Sequence, residues 1–415
     1  MTIAPVPLAA FSGYGIELEY MIVDSGSLRV LPIADDLLAV ISAHGAAGSD
    51  DRFAWSNELV LHLLELKNRR PMPDLEQLAP GFQREVARAN ELLAPLGARL
   101  MPGGMHPWMD PASETRLWPH HDAAIYRAYD RIFDCRGHGW ANIQSMQLNL
   151  PFADDAEFER LHAAVRLLLP ILPALAASSP IADGRVRAEV DFRMESYRHH
   201  VERRPSLIGL VIPDNAMSCA GYRRDVLEPM YAEVAPFDPA GDLHAEWLNA
   251  RGAIPRFDRH AIELRVIDMQ ECPQADLGIA ALAGAAARAL YEERWCPLNR
   301  QQGMGTGTLA AIFRACVRDA DQARIDDARY LALFGFRGAS CRAQELWHHL
   351  FQSCRNDTLL SPPGQTAIEV ILEHGPLARR ILRSAGDHPD RDRLAAIYRE
   401  LCDCLAEGRQ FKALP

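Results

Sequence analysis

The chain has 415 residues, 48% of them hydrophobic and 24% charged, which excludes a disordered chain and leaves room for two or three domains or one large α/β or α+β domain. Its net charge of −11, with no basic cluster, argues against nucleic-acid binding. No apolar run approaches the ~18 residues a transmembrane helix needs, so no membrane association is expected.

In chain order, Tyr14 to Val23 alternates like a strand and Ala34 to His44 reads as a helix. Leu61 to Asn68 is a second strand. Asp74 to Leu96, with Pro73 ahead of it, has helical periodicity. Arg99 to Met105 is a short strand ending in Gly103 and Gly104, and Asn142 to Leu150 alternates again. Asp154 to Ala177 is a long helix broken by Pro170 and Pro173. Arg198 to Asp242 is rich in loops. Ala261 to Asp268 is a strand, Ala275 to Tyr291 an Ala-rich helix, and amphipathic helices follow from Leu309 to the end. This gives an α+β chain, with a core over residues 1–295 and a helical C-terminal region over 296–415 packed on it. The strands are unevenly spaced and carry polar residues that a parallel sheet buried on both faces would not tolerate, so a doubly wound fold is rejected.

Composition narrows the chemistry. There are 42 arginines but two lysines, Lys67 and Lys412, so any lysine-dependent step must use one of these. The P-loop pattern G-x-x-x-x-G-K-[ST] is absent. Nine cysteines without C-x-x-C suit reduced thiols in a cytoplasm, and MTIAPVPLAAFSGYG lacks the basic start of a secretory leader.

Side chains two apart on a strand share a face. By that rule Glu17 and Glu19 face together, as do Glu65 and Lys67, Gln147 and Asn149, and Glu263 and Arg265, each pair opposite apolar neighbours. A solvated outer face explains any single strand, but four faces concentrating carboxylates point to one polar cavity. Carboxylates crowded there raise one another's pKa unless cations neutralise them. Glutamate and amide oxygens are hard ligands that suit Mg²⁺ or Mn²⁺ rather than zinc. Five or six such ligands exceed what one Mg²⁺ takes, which suggests several ions and a polyphosphate such as ATP. Arg265 and Lys67 then stand where phosphate charge needs partners.

The segments GIELEYMIVD, NELVLHLLELKNRRP, MQLNLPF, ASSPIADG and IELRVID, in this order, resemble the glutamate–cysteine ligase family in its wide sense, which includes bacterial carboxylate–amine ligases. The resemblance implies a curved, funnel-like antiparallel sheet with helices on its convex side. It implies ATP, Mg²⁺, a glutamate-like amino acid whose carboxylate is phosphorylated, and an amine that attacks the acyl phosphate. It makes Glu17, Glu19, Glu58, Glu65, Gln147 and Glu263 metal ligands and puts Arg265 on phosphate. Arg193, in DFRMESYR, matches an arginine that grips the substrate carboxylate. Asn149 belongs to the Q-x-N-L pattern, and His106 to a G-x-H-P turn that a strand-end histidine explains equally well; both join the substrate candidates. Lys67 has no firm family counterpart. Gln147 stands where other branches have His, and Glu58 where some have Asp. Two other classes stay open, a metal-dependent hydrolase and a degenerate member that binds nucleotide or amino acid as a sensor. A homo-oligomer is also open. Left without a role are GMGTGT (303–308), read as a flexible loop with a Thr cap, the histidines 199, 200, 348 and 349, read as surface residues, and Cys402 and Cys404, read as helix thiols.

Overall fold

The computed structural model describes residues 7–44 and 50–414; the stretch read for a leader begins outside them. Each strand expected from alternation forms within a few residues. They are β1 (Gly15–Asp24), β3 (Leu63–Asn68), β4 (Ala98–Met101), β5 (Ser145–Pro151) and β7 (Ala261–Asp268). Two further strands of the same sheet were not expected, β2 (Phe53–Asn57) and β6 (Ala253–Arg256). Among the described residues the seven form one sheet in the order β2-β3-β1-β5-β7-β6, with β4 also paired to β1. Every pairing is antiparallel. β6 contains Pro255 and lies at an edge, where a missing N–H costs no ladder bond.

One face of the sheet is fully apolar. Ile16, Leu18, Leu64, Leu66, Leu148, Ile262, Leu264 and Val266 are completely buried. They belong to a core shared with helices α1 (Ala34–His44), α2 (Leu78–Leu93), α4 (Asp155–Leu168) and α5 (Pro273–Tyr291). A further helix, α3 (Ala123–Phe133), was not expected; the helix from Thr306 to Asp319 is α6. Near the C-terminus, α7 (Ala343–Cys354) and α8 (Pro362–His374) pack on α5, while α10 (Arg391–Glu407), following α9 (Leu377–Ala385), packs on β4 and α2. A buried ion pair between Arg380 of α9 and Glu271 also holds the Phe411 backbone. No helix is long and apolar enough to cross a membrane among the described residues.

Because Leu264 is completely buried among other core side chains, Leu264→Ala should lower the unfolding free energy by roughly 2–5 kcal/mol, through lost burial and a residual cavity. Urea denaturation tests this, and a loss below about 0.5 kcal/mol, the scale of ordinary surface substitutions, would contradict the assigned face.

Candidate active site

The other face of the sheet carries the acids. On β1, Glu17 pairs across to Lys67 on one side and Gln147 on the other, and Glu19 pairs with Glu65. Asn149 lies opposite Glu263 on β7. The sheet register therefore gathers side chains from four strands, and a cavity of about 540 Å³ opens over them. Its lining includes Glu17, Glu19, Glu58, Glu65, Lys67, Gln147, Arg193, Glu263 and Arg265. Glu58 comes from the β2–β3 connection, not from a strand.

Cations are shared unequally among the acids. Glu263, 1% exposed, lies between Arg256 at 2.9 Å and Arg265 at 2.5 Å. Burial alone would raise its pKa, but Arg265 and Arg256 hold it below the ordinary carboxylate range. Glu65 behaves alike: burial is overcome by Lys67, helped by the Ser56 hydroxyl at 2.6 Å. The other three acids are short of positive charge. Glu17 meets Arg259 only at 3.7 Å and accepts from Asn149 Nδ2 at 3.0 Å. Burial, then the charges of Glu65 and Glu263, push it up to about 8. Glu19 accepts from Ser145 N at 2.7 Å, Ser145 Oγ at 3.0 Å and Gln147 Nε2 at 2.9 Å, yet burial and Glu65 carry it to about 7. Glu58 is raised well above the usual range by burial and by Glu65 and Glu19. Neither Glu19 nor Glu58 has an ion pair among the described residues.

This donor set fits a hard divalent cation. Three under-neutralised carboxylates offer the oxygen ligands that Mg²⁺ prefers, and the ion would supply the missing charge. Among the described residues no three His, Cys, Asp or Glu side chains converge as a closed metal centre. Mg²⁺ itself takes one or two protein carboxylates and completes its octahedron with water and phosphate.

Two expected contacts lie elsewhere. His106 is completely buried outside the cavity lining, with Nε2 on the Leu28 carbonyl at 2.7 Å and Nδ1 accepting from Trp108 N at 3.2 Å. Burial pushes its pKa down to about 3, so it is a neutral turn-building residue, not a substrate contact. Asn149 supports Glu17 from just outside the lining. Arg193 does line the cavity, but its guanidinium is committed to Asp268 and to the Arg265 carbonyl. Asp268, at the end of β7, was missed. It accepts from Ser178 N at 2.8 Å and Ser179 Oγ at 2.7 Å, so the ASSP segment is more than a helix stop. A Cβ on Gly104 would lie 2.5 Å from Asp268 Oδ2, so this close approach requires glycine.

Also missed were Arg256 and Arg259, on β6 and the β6–β7 turn, and an aromatic group around Tyr129, Trp140 and Trp247. His200 was read as a surface residue. It lies in the cavity lining instead, 4.6 Å from the Trp140 ring and 4.4 Å from the Tyr197 ring. His199 and His348 are exposed, but His349 is half-buried with Nε2 on the Phe334 carbonyl at 2.9 Å. The GMGTGT segment is outside the lining. No side chain caps α6; Thr306 Oγ1 instead accepts from Arg166 at 3.0 Å.

The glutamate–cysteine ligase family 2 (GCS2) model matches residues 14–400. The chain belongs to that family. By that membership it is an ATP-dependent carboxylate–amine ligase. The match takes in most of the helical region from residue 296 as well as the sheet. A protein of Archaeoglobus fulgidus, "Uncharacterized protein", is 37% identical over 331 residues, covering 78% of this ligase and 88% of that chain. "Putative glutamate--cysteine ligase 2-1" of Nocardioides sp. is 27% identical over 292 residues, 68% of each chain. The glutamate–cysteine ligase of Francisella tularensis, solved in complex with AMP, has the same fold. It superposes with a TM-score of 0.56 at 12% identity, covering 97% of this ligase and 89% of that chain.

Proposed function

We propose that the cavity joins a glutamate-like carboxylate to an amine through an acyl phosphate, at the expense of ATP and with Mg²⁺ or Mn²⁺. The observation that carries this reading is the division of charge. Glu263 and Glu65 are neutralised by the protein, while Glu17, Glu19 and Glu58 are left for a cation. Mg²⁺ ions, each held by one or two of those carboxylates with Gln147 beside them, would neutralise charge on the transferring phosphoryl group.

The chain's own residues do the rest. Arg265 and Lys67 hold Glu263 and Glu65 ionised and in place, and each adds positive charge at the cavity wall. Arg259, half-exposed on its turn, is the cation least committed to a carboxylate and suits a phosphate or substrate carboxylate. Such preorganised charge stabilises what develops in the transition state more than the ground state. The nine free thiols, eight of them buried, support the proposal of a reducing compartment such as the cytoplasm.

Incubation with Mg-ATP and pools of amino acids and amines, following ADP, tests the reading. ADP release should require one acid and one amine together. Mg²⁺ or Mn²⁺ should support it, while Zn²⁺ should not. Full turnover after exhaustive chelation would refute the metal assignment, and ADP release indifferent to both substrates would refute ligation.

A further inference from the structure

The cavity has a second wall that phosphoryl transfer does not use. Tyr126 and Tyr129 of α3, Trp140, Tyr197, His200 and Trp247 reach it from four separate segments. The rings of Tyr129, Trp140, Tyr197, His200 and Trp247 form one connected patch. Tyr129 lies 5.1 Å from Trp140 and 5.8 Å from Trp247, centroid to centroid, and His200 joins Trp140 to Tyr197. Trp140 is fixed by Nε1 on the His200 carbonyl at 3.0 Å and by stacking on Phe133. Tyr126, Tyr129, Trp140 and Trp247 remain only partly buried. Their ring surface is thus available where the cavity opens. Arranged ring faces of this kind bind flat apolar groups.

We propose that this wall receives the side group of the acceptor amine, and that the acceptor carries an aromatic or similarly large flat group rather than being a small polar amino acid. The proposal rests on the ligase reading above. Position decides between the possible occupants. The Tyr197 hydroxyl lies beside Arg265, and Tyr129 is close enough to feel the same guanidinium. The wall therefore rises next to the groups that would meet the transferring phosphate. A nucleotide's base sits a ribose and two phosphates away from the transferring phosphate, so the base is the wrong part of ATP to fill it. An amino-acid donor needs charged partners at both ends, whereas the wall offers ring faces and hydroxyls. The acceptor needs only its nitrogen at the reaction point, and its remaining bulk can lie on the rings.

Calorimetric titration of the full chain with tyramine and with ethylamine, in the presence of Mg²⁺ and a non-hydrolysable ATP analogue, tests this. Tyramine should bind about tenfold more tightly or better, since a ring is removed from water, and should change tryptophan fluorescence. Trp247→Leu and Tyr129→Leu should remove that preference by weakening tyramine far more than ethylamine, and Trp247→Phe should restore most of it. Equal affinities, no tyramine binding at all, or competition between tyramine and the ATP analogue would overturn the proposal. ADP release is followed in parallel. None with any acid–amine pair refutes the ligase reading itself. ADP release equally supported by ethylamine and tyramine leaves that reading standing and overturns the acceptor assignment.

Discussion

Glu17→Gln and Glu263→Gln should both abolish ADP release, yet move stability in opposite directions. From the strand pattern alone both acids belong to one crowded acidic face, and removing either would relieve repulsion. Their surroundings separate them. Glu263 is the counter-ion of two arginines, Arg256 and Arg265. Neutralising it leaves both guanidiniums without their acid in a buried site, a loss of about 3–5 kcal/mol by the usual cost of breaking a buried pair. Glu17 has only Arg259 at 3.7 Å and the influence of Lys67, which is paired to Glu65, against two repelling neighbours, Glu65 and Glu263. Glutamine there keeps the shape, can still meet Asn149, and removes the repulsion.

The pH dependence carries the same sign. Glu17 moves from an ordinary 4.5 to about 8 on folding. Between those values the folded protein holds more protons than the unfolded chain, so stability falls as pH rises through the window. The slope from one fully linked group is at most about 1.4 kcal/mol per pH unit. Urea melts of the metal-free protein from pH 5 to pH 8 should show this decline, to which Glu19 and Glu58 also contribute, and Glu17→Gln should make it shallower. At pH 8 the variant should match or exceed the parent in stability. A Glu17→Gln protein destabilised as strongly as Glu263→Gln would contradict this account of the charges.

Much of this was legible because strands have a period of two. β1, β3, β5 and β7 each carry two polar residues on one face and a continuous apolar row on the other, so both core and acidic face could be read from their segments. β2 and β6 could not, being five and four residues long, with a proline in the second. α3 did carry a signal: Ile125 and Tyr129, then Ile132 and Phe133, recur at helical spacing, but the polar residues before it obscured its start. Partners across space were illegible. The local pattern sets Glu17 beside Glu19 and Glu263 beside Arg265, but it does not show Arg256, which reaches Glu263 from the neighbouring strand. His106 misled for the converse reason: its turn looked like a site, but the backbone directs the ring into the interior, where a carbonyl holds it. The aromatic wall is assembled from segments as far apart in the chain as Tyr126 and Trp247, and no period links them.

Asp268→Asn should be the most damaging single change outside the acidic face. Asp268 and Arg193 are 0% and 1% exposed at the side chain and paired with each other. Two serines donate to the same carboxylate. An amide cannot neutralise the guanidinium, and its NH₂ would face donors where the carboxylate oxygens now accept. The expected loss is again about 3–5 kcal/mol. Activity should fall further than stability explains, because the Arg193 guanidinium also reaches the carbonyl of Arg265, at 3.3 to 3.4 Å, and so steadies the strand that presents Arg265. Arg193→Lys separates the two effects. An ammonium can still pair with Asp268, but it lacks the fork needed to reach the carbonyl at the same time. It should recover more stability than turnover. Gly104→Ala should resemble Asp268→Asn, since the added methyl would sit 2.5 Å from the carboxylate and force it away from Arg193. Urea denaturation with parallel ADP assays checks all three. Asp268→Asn within about 0.5 kcal/mol of the parent, the range of ordinary surface changes, would mean that the serines alone hold the ASSP segment and that the buried ion pair contributes nothing to the site.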